Sequence, residues 1–149
     1  MNPLVARLGS WEELGEGARA VRFTVFVGEQ GIPPEVEIDD MDAQCVHALV
    51  RDGKGAPLAT GRLMPDGRIG RMAVLAPWRG KGLGRLVLDA LVGAARERGD
   101  ARAFLHAQVD AVGFYERAGF ACEGERYLEQ GIWHQSMARA LAPVRAQAS

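Results

Sequence analysis

Pro77-Trp78-Arg79-Gly80-Lys81-Gly82-Leu83-Gly84-Arg85 joins a strand-like segment to the most regular helical stretch of the chain, and its reading decides the fold. Glycines at alternate positions let a backbone turn tightly and approach a ligand, and the free N–H groups of a helix start favour an anion. Lys81 and Arg85 add positive charge. Taken alone, the glycines fit a ligand-free turn equally well. Two other phosphate-binding patterns fail on the same residues. A Walker A loop needs Ser or Thr where Gly82 stands and glycine where Leu75 stands. A Rossmann fingerprint aligned on Gly80 and Gly82 needs a third glycine at Arg85, and it normally follows the first strand of its domain.

Working outward, Leu83, Leu86, Val87, Ala90, Leu91, Ala94 and Ala95 recur at helical spacing. Arg96 and Arg98 suit the negative end of that helix, and Gly99 closes it. Upstream, residues 45–51, 58–64 and 68–74 read as three strands turned at Asp52-Gly53-Lys54-Gly55 and Pro65-Asp66-Gly67, an antiparallel meander. Residues 4–8 suggest a first strand, and Ser10 an N-cap for a helix running toward Val27. Pro33-Pro34 and clustered acids rule out a long regular element over 28–44 and make it a loop with room for a helical turn. Downstream, residues 103–108 form a strand that a right-handed crossover sets parallel to 68–74. Asp110 is placed to cap a short helix over 111–118, and strands over 120–126 and 132–139 complete the sheet. The expected fold is α/β, a mixed, mostly antiparallel sheet of six or seven strands flanked by helices. Residues 1–142 make one domain and 143–149 a tail.

Composition narrows the function. The 149 residues are 48% apolar and 25% charged, ordinary values for a soluble globular domain, with net charge -1. That charge gives no reason to expect nucleic acid as partner. No apolar run approaches the roughly 18 residues of a membrane span and no secretory leader is visible, so the expected place is the cytoplasm, away from membranes. Cys45 and Cys122 lack C-x-x-C spacing and read as buried thiols; His47, His106 and His134 are scattered, so spacing offers no metal site.

The pattern Gln/Arg-x-x-Gly-x-Gly/Ala, the acyl-CoA loop of the GNAT superfamily, is met by Arg79, Gly82 and Gly84. Arg71-Met72-Ala73-Val74 resembles the fourth strand of that superfamily, and Ala111-Val112-Gly113-Phe114-Tyr115-Glu116-Arg117-Ala118-Gly119-Phe120 resembles its late helix and turn. Both lie in the right order and spacing. Phe26-Val27-Gly28-Glu29-Gln30, followed by acids, further resembles the ElaA-like branch. Gln108 departs from the pattern, since many members carry Asn there.

The resemblance implies a sheet splayed between two parallel strands, with acetyl-CoA as cosubstrate and no metal. Met72, Ala73 and Val74 would flank the pantetheine arm like an added strand. Gly80, Lys81, Gly82, Leu83, Gly84 and Arg85, headed by Arg79, would hold the pyrophosphate, and Gln108 and Tyr115 would also touch the cofactor. The N–H of Val74 would meet the oxyanion, and Tyr115 would donate a proton to the departing sulfur. The implied activity is acetyl transfer to a small amine by direct attack. A non-catalytic acyl-CoA sensor of the same fold is the alternative, and a homodimer is compatible with either.

The general base is open among His47, His134, Glu29, Glu35 and Glu37, with His134 preferred because it lies on a late strand near the implied acceptor site. Residues 24–44 carry six acids and no Lys or Arg. They would draw a cationic acceptor if they lined the cleft, although a solvated charged loop is the favoured reading. Trp11, Trp78 and Trp133 read as packing residues, with Trp133 placed to shape a pocket beside His134.

Overall fold

The computed structural model describes residues 3–143. Its seven strands are β1 (Arg7–Gly9), β2 (Val46–Arg51), β3 (Pro57–Leu63), β4 (Arg68–Val74), β5 (Arg102–Gln108), β6 (Ala121–Glu129) and β7 (Ile132–Ala140). The helices are α1 (Trp11–Arg22), α2 (Pro34–Glu37), α3 (Leu83–Arg98) and α4 (Val112–Arg117). The strands lie in the order β1-β2-β3-β4-β5-β7-β6. Every neighbouring pair is antiparallel except β4 and β5. This is the mixed sheet expected from the sequence. The tail expected over 143–149 falls, beyond Pro143, outside the described residues.

The helices take opposite faces of the β2–β4 meander, and strand alternation says which side chains each covers. A Cβ on Gly17 of α1 would touch Leu49 and Pro57, so α1 packs on the face that also carries His47, Thr60 and Arg62. On the other face Gly61 meets Val87 and Leu91 of α3. Ser10 caps α1 as expected: its side chain accepts from Glu13 N–H at 3.2 Å while Glu13 Oε1 accepts from Ser10 N–H at 2.9 Å.

Several local expectations shift. Toward Val27 the helix loosens into π-type turns over Phe23–Glu29, with Gln30 N–H bonding Val25 carbonyl five residues back. Asp110 makes no cap, because Val109–Ala111 closes into a 3₁₀ turn and α4 begins only at Val112. On α3, Leu86 is exposed, whereas Leu88 and Val92 are buried beside Leu83, Val87, Leu91 and Ala95, a stripe rotated toward the sheet. Cys45 is buried but Cys122 is exposed, since it lies on the outermost strand β6. Trp133 is also exposed, on the face opposite His134.

Candidate active site

The parallel pairing of β4 with β5 holds only at Arg68 opposite Phe104 and Ile69 opposite Leu105. Beyond that point β5 stays paired with β7 through Gln108 opposite His134. The two parallel strands therefore separate. On its other edge β4 carries a bulge, for Thr60 faces Ala73 and Arg62 faces Gly70, so that Arg71 and Met72 together oppose Gly61. Arg71 takes φ 49°, a strained conformation for a long side chain. Gly61 is needed beneath the bulge, because a Cβ there would lie 2.7 Å from both Met72 Sδ and Val87 Cγ1.

The bulge sets which backbone groups enter the gap. Leu75 N–H donates to Leu58 carbonyl at 2.9 Å, so Leu75 and Ala73 turn toward β3. By alternation Met72 and Val74 turn their backbone groups toward β5. Val74 carbonyl accepts from Arg79 Nε at 2.9 Å.

Gly80 and Gly82 lie at φ 76° and 84°, conformations open to glycine, with empty space where a Cβ would stand. Gly82 is the N-cap of α3 and brings no side-chain cap. The amides of Leu83, Gly84 and Arg85 therefore start a sixteen-residue helix without partners in the preceding turn, the arrangement that takes an anion. Lys81 Nζ lies 6.0 Å from the Trp78 ring, and Arg85 pairs with Asp89 at 2.9 Å.

A cleft of about 580 Å³ runs through the splay, lined among others by Met72, Gln108, Tyr115 and His134. Tyr115 is 8% exposed, packed edge-on against Phe114 and Phe120, and burial pushes its phenol up to about 12. It remains a protonated donor throughout the neutral range. His134 Nδ1 lies 2.8 Å from Ile132 carbonyl, which assigns the proton to Nδ1 and leaves the Nε2 lone pair free, 3.9 Å from Glu129. The sequence reading passed over His106, which also lines the cleft; its scattered position in sequence gave no signal. Burial and the Arg68 charge hold that imidazole below its ordinary pKa.

The remaining base candidates are placed elsewhere. His47 is buried against Trp11, with Nε2 2.8 Å from Asp42 carbonyl and its pKa lowered by burial. Glu35 is exposed, and Glu29 grips Arg79 at 2.7 and 3.0 Å. Glu37 lines the cleft but is tied to Arg22 at 2.6 Å and to Arg71 at 3.0 Å. Gln108 exchanges side-chain amide bonds with Gln30 across the cleft, at 3.0 and 3.4 Å. The extra methylene relative to Asn provides that reach.

Much of the acidic segment proves to be structural. Glu37, Asp39 and Asp42 meet Arg22, Arg62 and Arg71 in one network of three acids and three cations. Arg22 and Arg62 are held charged by these carboxylates against the opposing effect of burial. Asp39 is held at about 2, chiefly by its hydrogen bonds from Arg62. The network is electrically neutral, so it neither forms a solvated loop nor projects the negative field that its sequence suggests. Among the described residues no group of three or more His, Cys, Asp or Glu is placed to hold a metal, and no helix is long and apolar enough to cross a membrane.

Comparison with known proteins gives this geometry its family. The chain is 38% identical over 130 residues to the uncharacterized N-acetyltransferase YjcF of Bacillus subtilis, covering 85% of this chain and 92% of that protein. An acyl-CoA N-acyltransferase from Pseudomonas aeruginosa superposes with TM-score 0.81 at 32% identity, covering 93% of this chain and all of that one. Escherichia coli ElaA gives 0.82 at 27% identity over 92% and 99% of the two chains, in line with the branch suggested by residues 26–30. The model of the acetyltransferase (GNAT) domain matches residues 19–141, the stretch that holds the splayed strands, the glycine loop and Tyr115. An acyltransferase that draws on acyl-CoA follows from that match, and the chain belongs to the GNAT acetyltransferase family.

Proposed function

We propose that the protein transfers the acetyl group of acetyl-CoA to the amine of a small molecule by direct attack, in the cytoplasm and without nucleic acid or a metal. The observation that carries this reading is the cleft through the splay, with the Tyr115 phenol and the His134 imidazole both on its wall. The 1–142 span acts as one catalytic domain, and a homodimer is compatible with this chemistry.

In this reading the amides of residues 80–85 hold the pyrophosphate, and Met72, Ala73 and Val74 flank the pantetheine. Arg79, Gln108 and Tyr115 complete the cofactor wall. His134 Nε2 takes a proton from the acceptor ammonium, whose reference pKa is roughly 10 for an alkylamine. The freed nitrogen attacks the thioester carbonyl, and Val74 N–H donates to the oxyanion. As the C–S bond opens, the Tyr115 hydroxyl donates to the sulfur, so CoA leaves as the thiol, and the nitrogen of the intermediate releases its second proton to solvent to give the neutral amide. Solvent returns one proton to the Tyr115 phenolate and takes up the one on His134, so that one proton is released overall. No covalent enzyme intermediate is invoked: Cys45 is buried with its thiol raised by burial, and neither cysteine lines the cleft.

Calorimetric titration with acetyl-CoA, with ATP and NAD as controls, tests the cofactor. Saturable binding of acetyl-CoA alone supports it, and absence of binding sinks it. Tyr115→Phe then separates an enzyme from a sensor. The expected result is a loss of roughly 10²- to 10⁴-fold in CoA release with acetyl-CoA affinity nearly unchanged. Turnover equal to that of the parent would remove Tyr115 from the chemistry.

A further inference from the structure

We infer that the acceptor is an amine that also bears a carboxylate, and that Arg68 is the residue that selects it. The inference rests on the acyl-transfer reading above and names its substrate class.

The charges along the cleft carry the argument. Glu37, Asp39, Arg62, Arg68, Arg71 and Glu129 all line it. Four of these neutralise one another, Arg62 on Asp39 at 2.8 Å and Arg71 on Glu37 at 3.0 Å. Among the described residues Arg68 makes no ion pair, and the only ionic neighbour of Glu129 is His134 at 3.9 Å. Two opposite charges are thus left over, on different strands of the same cleft. Arg68 opens β4, and Glu129 closes β6.

Register places the surrounding groups on one face. Arg68 stands opposite Phe104 on β5, two residues before His106 and four before Gln108. Gln108 stands opposite His134 on β7, which stands opposite Tyr127 on β6. Residues directly opposite or two apart share a face, so Arg68, His106, Gln108, His134 and Tyr127 look the same way. Burial lowers the His106 pKa most, the charge of Arg68 lowers it further and that of Glu129 raises it, so both charges are felt at the same imidazole. They are nevertheless too far apart to form a pair of their own.

Arg68 is a half-buried residue that lines the cleft without an ion pair among the described residues, and its planar guanidinium fork fits a carboxylate through two parallel hydrogen bonds. An acceptor carrying ammonium and carboxylate satisfies both ends. Its carboxylate lies on Arg68, and its ammonium lies at Glu129 and His134, where the proton is removed. Acetylation neutralises the nitrogen, so the product keeps the Arg68 contact and loses the attraction to Glu129.

The test is a panel of α- and ω-amino acids, each paired with its carboxamide, assayed with acetyl-CoA by CoA release. The expected ratio of kcat/KM, acid over amide, is about tenfold or more in favour of the best acid, the effect of one well-made charged contact. Arg68→Gln should bring that ratio near one, and Arg68→Lys should leave it in between, because a point charge keeps attraction but not the fork. Amides used as well as acids, a ratio unmoved by Arg68→Gln, or acetyl-CoA binding with no amino acid turned over would each overturn the inference. So would an Arg68→Gln effect confined to acetyl-CoA affinity. Failure of acetyl-CoA to bind the parent protein is a separate result, which removes the acyl-transfer reading itself.

Discussion

The wall formed by β4 and the start of α3 presents backbone: a bulged strand turning amides into a gap, and an uncapped helix end behind two left-handed glycines. The wall formed by α2 and the segment around it presents charged side chains, yet these are occupied with Arg22, Arg62 and Arg71. The first wall is made from one continuous stretch of chain, residues 71–85. The second draws partners from α1, β3 and β4, as many as 34 positions apart. A site built of backbone and a network built of side chains thus fail in different ways, and mutation separates them.

The largest effect is expected in the network. Arg22 is 2% exposed and holds both Glu37 and Asp42, so Arg22→Ala leaves two carboxylates without their main cation. We expect a loss of about 3–5 kcal/mol in chemical denaturation. A loss near zero would mean that Arg62 and Arg71 take over the acids, and the network would have to be described as redundant. Gly82→Ala probes the other wall. At φ 84° an added Cβ costs roughly 1–2 kcal/mol of stability, although the space around it is empty. Acetyl-CoA affinity should fall along with stability in this variant, whereas in Arg22→Ala any affinity loss should only follow unfolding.

Acid titration gives a smaller, graded effect. The folded pKa of Asp39, at about 2, is below its unfolded value, so its contribution is complete above the unfolded pKa of roughly 4. That contribution is lost as pH falls from there toward 2. Melting temperature followed over this window should drop less steeply in Asp39→Asn than in the parent. An identical slope would assign the acid limb to other carboxylates. Gln108→Asn should have the least effect on folding, about 0.5–1.5 kcal/mol, because it removes only the amide exchange with Gln30. If acetyl-CoA affinity rises in that variant, the Gln30 contact competes with the cofactor; if it falls, the contact positions Gln108 for it.

The same contrast explains what was legible. The glycine loop, the meander, the strand from Arg68 to Val74 and the long helix were readable because each depends on residues adjacent in sequence. Capping at Ser10 follows the same logic, since the box closes within three residues. Misreadings arose where a competing local turn or a neighbour in space overrode the signal of a single residue. Asp110 has a good cap identity, but the 3₁₀ turn over Val109–Ala111 moves the helix start past it. Cys122 is apolar enough for a core, but the sheet order puts it on an edge. Glu37, Asp39 and Asp42 looked solvated because their arginines come from other elements.

The sequence by itself determined the family, the glycine turn at 80–84 and the long helix that follows it, because a turn and the helix it starts are encoded within a few residues of each other. Only the tertiary structure decided that Glu37, Asp39 and Asp42 are neutralised, that His106 and His134 share one cleft, and that among the described residues Arg68 has no ion pair there and Glu129 meets only His134. The physical reason is that charge balance depends on distance in space. A carboxylate and the guanidinium that cancels it need share nothing in sequence, and only the folded sheet shows which charges are left for a substrate.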